Sequence, residues 1–442
     1  MTGLDARRQA YDALRDIENK GSFANLRLKK TQLDDERDAR LTTQLVYGTL
    51  QWQIYLDYCL QGYIRAKKVH PGVRTLLRMG AYQILKMDRV PDSAACNSCV
   101  ELAKAVGLGR LSGFVNGVLR NLSRAKDSIS LPDEKKQPAL RLSVEFGWPL
   151  WLVEYFIGAL GLEEASGLLR HQMDYGEVCI KPNRLKVSPA QWDSWRADQA
   201  GRLRPAPLAG DGYYWKGVPA QEPAFNEGWF TVQGEASQLA ARLVEARPGQ
   251  KILDLCAAPG GKSCAMAIEA QGEALITACD LHRHRVQLIE KNAHRLGVAL
   301  ETLQWDASQP RPAWNDGFDA VLVDAPCSGL GLLWEKPDLR HRVVAQDIAA
   351  LAKLQQNILH CAARYVRTGG RLVYATCTMT HEENTEQVRD FLSSHTDYEQ
   401  DDFSPLLPSG LKARVVDGGL QLYPHVDGTA GFYMARFRRK ER

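Results

Sequence analysis

The spacing of apolar positions changes twice along this chain. Over residues 1–128 they recur at three- and four-residue steps, as in Leu76, Leu77, Ala81, Ile84 and Leu85 and again in Val115, Val118, Leu119 and Leu122. One face of each such segment is apolar, so the region reads as all-helical, and strand-like alternation is absent from it. From Ser128 to Ala139 the pattern gives way to Pro132, Pro138 and mixed charges, which marks a linker. A helical patch from Leu140 to about His171 follows, carrying Trp148, Trp151 and Phe156. Between Val178 and Thr231 short apolar runs are broken by Pro182, Pro189, Pro205, Pro207, Pro219 and Pro223, which suggests a small α+β insert opened by Lys181-Pro182-Asn183-Arg184.

After Val232 the texture becomes strand, helix, strand, helix. The strands expected are Lys251-Ile252-Leu253-Asp254, Ala274 to Cys279, Leu300 to Trp305, Phe318 to Asp324 and Gly370 to Ala375. That alternation predicts an α/β domain with a mostly parallel sheet covered on both faces. The boundaries that follow are 1–128 helical, 129–139 linker, 140–231 helical patch plus α+β insert, and 232–442 α/β.

Length agrees with this division, since 442 residues suggest two to three domains. A hydrophobic content of 45% and a charged content of 24% are those of an ordinary globular protein. No run approaches the roughly 18 apolar residues of a membrane span. The start, Met1-Thr2-Gly3-Leu4-Asp5-Ala6-Arg7-Arg8, lacks the apolar stretch of a signal peptide, so a cytoplasmic protein is expected. Ten cysteines in this length do not resemble a secreted disulfide framework. Cys96-Asn97-Ser98-Cys99 has no second ligand pair to complete a zinc site and lies in a segment, Ser93 to Val106, that reads as a helix; no metal is expected.

Charge is uneven. Residues 1–130 hold 21 Lys+Arg against 13 Asp+Glu, a net of +8, while the remainder holds 35 against 39, a net of −4. A basic front on a near-neutral body fits a polyanion-binding module joined to a catalytic one, and fits a solvated helical surface almost as well.

The chemistry gathers at the carboxyl ends of the expected strands, where open α/β sheets bind ligands. The first turn is Asp254-Leu255-Cys256-Ala257-Ala258-Pro259-Gly260-Gly261-Lys262-Ser263. A phosphate loop would need a glycine where Cys256 stands, and the G-x-G-x-x-G dinucleotide pattern is absent, which leaves a nucleoside-type ligand without a pyrophosphate. Asp280 ends the second strand, placed to accept hydrogen bonds from ribose hydroxyls, and Asp306 ends the third, where it could meet an adenine amine. Each acid alone is more often a turn or helix cap than a ligand contact. Together with Asp254, three acids at successive strand ends suit S-adenosylmethionine. Two thiols join them: Cys327 in Asp324-Ala325-Pro326-Cys327-Ser328-Gly329, and Cys377 in Tyr374-Ala375-Thr376-Cys377-Thr378.

Asp254 to Ser263, Asp324 to Gly329 and Ala375 to Asn384 together resemble the RNA cytosine-5 methyltransferase family in its bacterial RsmB (Sun, Fmu) type, and Ala6 to Arg124 is similar to the NusB RNA-binding fold which that type carries in front. The resemblance implies an all-α NusB-like N-terminal domain, a small RNA-recognition-like α+β insert and a Rossmann-like S-adenosylmethionine methyltransferase domain. It further implies methylation of 16S ribosomal RNA at a cytosine of the position-967 type. The chain departs from the family at Gly234, where an Asp is usual, at Ala430-Gly431-Phe432-Tyr433 in place of Asp-Gly-Phe-Phe, and at Thr378, where a Ser is common. Gln233 and Ser237 belong, by the same resemblance, to the segment entering the cofactor domain.

Carbon 5 of cytosine is a poor nucleophile, so a thiolate must first add to carbon 6, an acid must steady the charge near N3, and a base must remove the carbon 5 proton. Chemistry alone leaves the order of the two thiols open. By resemblance Cys377 attacks, Asp324 contacts N3 and the neighbouring amine, and Cys327 assists release. The cofactor set implied is Cys256, Ala257, Ala258, Pro259, Gly260, Gly261, Lys262, Asp280, Arg285, Asp306 and Asp324. Lys262 reads either as a brace of the active-site loop or a backbone phosphate, or as a solvent lysine at a helix start, and Arg285 either as support for the pocket or as a surface arginine. Lys336-Pro337-Asp338 could face RNA phosphate. The readings that compete with the rRNA enzyme are a non-catalytic ribosome-assembly factor and a methyltransferase acting on tRNA. The oligomeric state is open, a monomer being the simplest expectation.

Overall fold

The computed structural model describes residues 3–20, 23–28, 35–171 and 177–441. The helical reading of residues 1–2, 21–22 and 29–34 therefore lies outside the described residues. Two compact units are present, one of residues 1–171 with 336–343, the other of residues 172–335 with 344–442.

The first unit is helical, as the three- and four-residue spacing requires. Its longer helices include Leu4–Lys20, Glu36–Gln51, Pro71–Lys86, Asp92–Ala105 and Ser112–Ala125. Leu76, Leu77, Ala81, Ile84, Val115, Val118, Leu119 and Leu122 all face one core. Starts are set locally: Asp35 accepts from the backbone N–H of Arg37, and Pro71 stands in the first turn of its helix. Cys96 and Cys99 are buried in the helix Asp92–Ala105, and burial pushes the Cys99 thiol up to about 12. The linker is shorter than its composition suggests. A helix already begins at Pro138, since a proline costs nothing in a first helical turn, and runs to Phe146. The helical patch (Pro138–Phe146, Leu150–Leu160, Leu162–Arg170) groups with this unit rather than with the α+β insert. Trp148 is buried there, its indole N–H donating to the carbonyl of Leu169.

The second unit contains two sheets. In the smaller, β1 (Val178–Pro182), β2 (Leu203–Pro205), β3 (Tyr213–Trp215) and β4 (Phe230–Val232) take the order β2-β3-β1-β4, all antiparallel. The helix Pro189–Asp198 covers it, with Trp192, Trp195, Trp215 and Phe230 as the core between.

The larger sheet comprises β5 (Lys251–Asp254), β6 (Leu275–Asp280), β7 (Glu301–Gln304), β8 (Phe318–Asp324), β9 (Val366–Thr376), β10 (Tyr398–Gln400), β11 (Gly419–Leu422) and β12 (Phe432–Arg439). Its order is β10-β12-β9-β8-β5-β6-β7, with β11 paired to β12. The five strands β5 to β9 are joined by parallel pairings, and β12 runs antiparallel to β9, β10 and β11. Unbroken apolar runs make sense here because each strand feeds two cores. Ile252, Ala320, Leu322, Val373 and Ala375 face one, and Leu253, Val321, Val323, Leu372 and Tyr374 face the other. The antiparallel extension lies beyond the sequence-based expectation. Its strand β12 carries Arg436, which is buried yet paired with Glu245 at 2.8 Å, so polarity masks the strand locally. The order of strand addition reverses between the parallel strands β5 and β8, and such a switch point places a ligand crevice at their carboxyl ends. Among the described residues no helix is long and apolar enough to cross a membrane.

Candidate active site

Asp254 and Asp324 end β5 and β8 at that crevice. The loop Cys256-Ala257-Ala258-Pro259-Gly260 runs from β5 to the helix Gly261–Glu269 and is tied at several points. The Ala257 N–H donates to the Cys279 carbonyl and the Gly260 N–H to the Ala257 carbonyl, both at 2.7 Å. Arg285 donates to the Ala258 carbonyl and Asn292 to that of Pro259, each at 3.3 Å. The Ala258-Pro259 peptide is cis. Gly260 has φ +98°, and a Cβ there would sit 3.1 Å from the Ile289 backbone, so both conformation and space call for glycine.

Asp254 is fully buried. Ser263 donates to its Oδ2 at 2.6 Å, its Oδ1 has no hydrogen-bond partner among the described residues, and burial pushes the carboxyl up to about 7. Asp280 is buried at the end of β6, with Arg285 3.4 Å away, so Arg285 braces both the loop and the acid. Asp306 stands two residues past β7, and its Oδ1 accepts from the N–H and hydroxyl of Ser308, a turn-capping arrangement.

Lys262 is no solvent lysine. Its ammonium is 2.7 Å from Asp324, 3.4 Å from the Ser237 hydroxyl and 5.4 Å from the centre of the Phe432 ring, with side-chain exposures of 11% for Lys262 and 28% for Asp324. Burial works against the charge, but Asp324 outweighs it and holds the ammonium above its ordinary pKa. Gln233 lies alongside, donating to the Ser237 carbonyl at 3.4 Å. Gly234 is the N-cap of the helix Glu235–Arg242 and supplies no side-chain bond, so the role an acid would have there is vacant.

The two thiols meet. Cys327 follows β8 by three residues and Cys377 follows β9 by one, and their sulfurs are 3.2 Å apart. The contact with Cys377, aided by burial, pushes the Cys327 thiol well above its ordinary value. The Cys256 thiol is likewise pushed well above its ordinary value, first by burial and then by Asp254 and Asp324. β12 closes the site from the far side: Tyr433 registers with Thr376, and Gly331 donates to the Cys377 carbonyl while Gly431 donates to that of Gly331, both at 3.0 Å.

Sequence reasoning missed one group that the fold puts at the centre of this arrangement. Glu383 is fully buried between the two cysteine segments and accepts from Ser328, Thr380 and Gln355. Its only signal in the sequence is its place in the segment Ala375 to Asn384. The segment Lys336-Pro337-Asp338 differs from expectation: Pro337 and Asp338 are buried within the helical unit, Asp338 pairing with Arg342 at 3.5 Å, so this acid is not offered to solvent.

Comparison with known proteins places the whole chain. Residues 241–438 match the family model "16S rRNA methyltransferase RsmB/F", and residues 4–124 match that of the NusB family. A probable ribosomal RNA small subunit methyltransferase B of Bacillus subtilis is 37% identical over 450 residues, covering 100% of both chains. One from Synechocystis is 35% identical, covering 99% of this chain and 100% of its own. Among solved structures, PH0851 superposes with a TM-score of 0.83 at 25% identity, covering 99% of this chain and 98% of that one. NSun6 from Pyrococcus horikoshii, solved with SFG, shares the fold over 66% of this chain with a TM-score of 0.57 at 23% identity.

Proposed function

The chain belongs to the RsmB/F family of 16S rRNA methyltransferases, and from that premise we propose that it methylates carbon 5 of a cytosine in 16S rRNA, at the position-967 type of site, through a covalent bond between Cys377 and carbon 6. It is an S-adenosylmethionine-dependent rRNA methyltransferase. The observation that carries the finer reading is the pair of sulfurs 3.2 Å apart beside the Asp324–Lys262 ion pair.

The residues present fit the cofactor. S-adenosylmethionine supplies, when bound, a methyl group made electrophilic by its sulfonium. The backbone from Cys256 to Gly261 would line its nucleoside, and the Asp280 carboxylate would take the ribose hydroxyls. The Asp254 Oδ1, without a partner among the described residues, is suited to a donor group. Gly260, at φ +98°, leaves the space a side chain would fill.

The thiols have distinct parts. Either sulfur can donate across the 3.2 Å contact; in this reading Cys327 donates and Cys377 is the thiolate. Cys377 adds to carbon 6 of the cytosine. Asp324, fixed by Lys262, holds N3 and the exocyclic amine while charge develops on the ring. After transfer the carbon 5 proton passes to solvent water acting as base, its electron pair re-forms the carbon 5–carbon 6 double bond, and the Cys377 sulfur leaves as thiolate, a release that Cys327 assists as hydrogen-bond donor. RNA binding is assigned to the helical unit, in keeping with its NusB match and the net +8 of residues 1–130.

The test is transfer from labelled S-adenosylmethionine to unmethylated 16S rRNA, followed by nucleoside mass analysis. Label in 5-methylcytosine is expected. No transfer to either free rRNA or assembling subunits would refute the activity, and label confined to tRNA would move the enzyme to that substrate.

A further inference from the structure

We infer that Glu383 is a positioning residue for the two thiols, a buried clamp that keeps the Cys327 segment against the Cys377 segment. The inference rests on the reading above, in which Cys377 attacks and Cys327 assists release.

Glu383 occupies the loop between β9 and the helix Thr385–Ser394 and has no solvent exposure. Its Oε1 accepts from the Ser328 backbone N–H at 2.8 Å and from Gln355 Nε2 at 3.0 Å. Its Oε2 accepts from the hydroxyls of Ser328 at 2.5 Å and Thr380 at 2.7 Å. Thr378 Oγ1 adds a longer contact to Oε2 at 3.4 Å, so five donor atoms surround one carboxylate. Ser328 has a single hydroxyl proton, and the shorter bond takes it. Its 2.8 Å contact with Thr378 therefore has Thr378 donating.

The consequence is a hydrogen-bonded chain from Thr378 through Ser328 to Glu383. Ser328 directly follows Cys327 and Thr378 directly follows Cys377. Gln355 extends the clamp, since the same Nε2 also donates to the carbonyl of Pro326, the residue before Cys327. Glu383 is itself anchored, its carbonyl accepting from the Tyr374 hydroxyl at 2.7 Å. Next to it, Asn384 accepts from Thr376 at 2.6 Å and donates to the Thr378 carbonyl at 3.2 Å, which fixes both flanks of Cys377. Each cysteine is thus held by the residues on either side of it, and Glu383 is where the two sets of bonds join. Among the described residues the Glu383 carboxylate bonds to Ser328, Gln355, Thr378 and Thr380, none of them Asp254, Asp280 or Asp324, so its effect on chemistry runs first through the thiol segments.

Glu383→Gln tests this. It keeps size but turns an acceptor into an N–H donor facing other donors, so Ser328 should be released. Two readouts separate the inference from the reading beneath it. The first is capture of a trivalent arsenical, which bonds two adjacent thiols with loss of water and depends only on their spacing. Relative to wild type, capture should weaken by about tenfold or more in Glu383→Gln and vanish in Cys327→Ala. The second is turnover: kcat should fall by about tenfold to a hundredfold, cofactor affinity should stay within about threefold, and a covalent protein–RNA adduct should build up as it does in Cys327→Ala. Glu383→Asp should restore part of both. Unchanged arsenical capture overturns the inference, as does a loss of cofactor affinity equal to the loss of kcat, which would mark a general fold defect. Weakened capture with no adduct in Cys327→Ala supports the clamp and refutes instead the division of labour between the thiols.

Discussion

Gly331→Ala should cripple turnover through a single methyl group. A Cβ on Gly331 would stand 1.8 Å from the Gly431 carbonyl oxygen and 2.9 Å from that of Cys377. Both neighbours are backbone, in the strand-end segments that hold the site, and neither can rotate away as a side chain could. Ordinary carbon–oxygen contact needs about 3.2 Å, so the segments must part by roughly 1.4 Å in a close-packed interior. Overpacking of this kind costs about 1–3 kcal/mol of stability, and a displacement of about 1 Å at a reacting centre costs on the order of a hundredfold in rate. The expected result is a melting temperature lowered by a few degrees and kcat down by about a hundredfold, with S-adenosylmethionine affinity nearly intact, since the cofactor loop lies on β5 rather than β9. Methyl transfer, thermal unfolding and calorimetric cofactor binding measure the three quantities. A variant with kcat within about twofold of wild type would refute the reasoning.

Other substitutions probe separate parts of the molecule. Gly117→Ala, on the exposed side of the helix Ser112–Ala125 with nothing within 4 Å, should stabilise the protein by about 0.5–1 kcal/mol and leave transfer unchanged, as thermal unfolding and turnover would show. Arg285→Met removes the brace on Asp280 and Ala258, so KM for S-adenosylmethionine should rise severalfold with kcat little altered; a fall in kcat alone would contradict this. Asp254 gives a pH prediction. Burial pushes its carboxyl from an ordinary 3.8 up to about 7, so the ionisation penalty is absent below about 3.8, grows as pH rises and is complete above about 7. At its largest it is on the order of 4 kcal/mol. Asp254→Asn should therefore stabilise the cofactor-free protein more at pH 8 than at pH 5, and a gain independent of pH would contradict it.

How far the sequence foretells this molecule depends on where each interaction comes from. β5, β6, β8 and β9 are legible because both of their faces are buried and their apolar runs are nearly unbroken. The helices of the first unit are legible from one apolar stripe each. β12 is not, since Arg436 and Arg438 interrupt it and are neutralised by Glu245 and Asp401, far away in the chain. The same holds in the site. Asp254, Asp324 and the two cysteines advertise themselves at strand ends, whereas Glu383 in His381-Glu382-Glu383-Asn384 looks like a solvated helix start. Its burial comes from Ser328 and Gln355, 55 and 28 residues distant. Lys262 is ambiguous for the same reason, its partner Asp324 being 62 residues on. Asp306 shows the converse: its position suggested a ligand contact, and its Oδ1 is engaged by Ser308.

The central claim is the division of labour between the thiols 3.2 Å apart. It is tested most directly by incubating Cys327→Ala and Cys377→Ala with unmethylated 16S rRNA and S-adenosylmethionine, then resolving the products on a denaturing gel and mapping any RNA-linked peptide by mass spectrometry. The account predicts a stable adduct with Cys327→Ala, attached at Cys377, and none with Cys377→Ala. An adduct with Cys377→Ala, attached at Cys327, would reverse the roles and contradict the account.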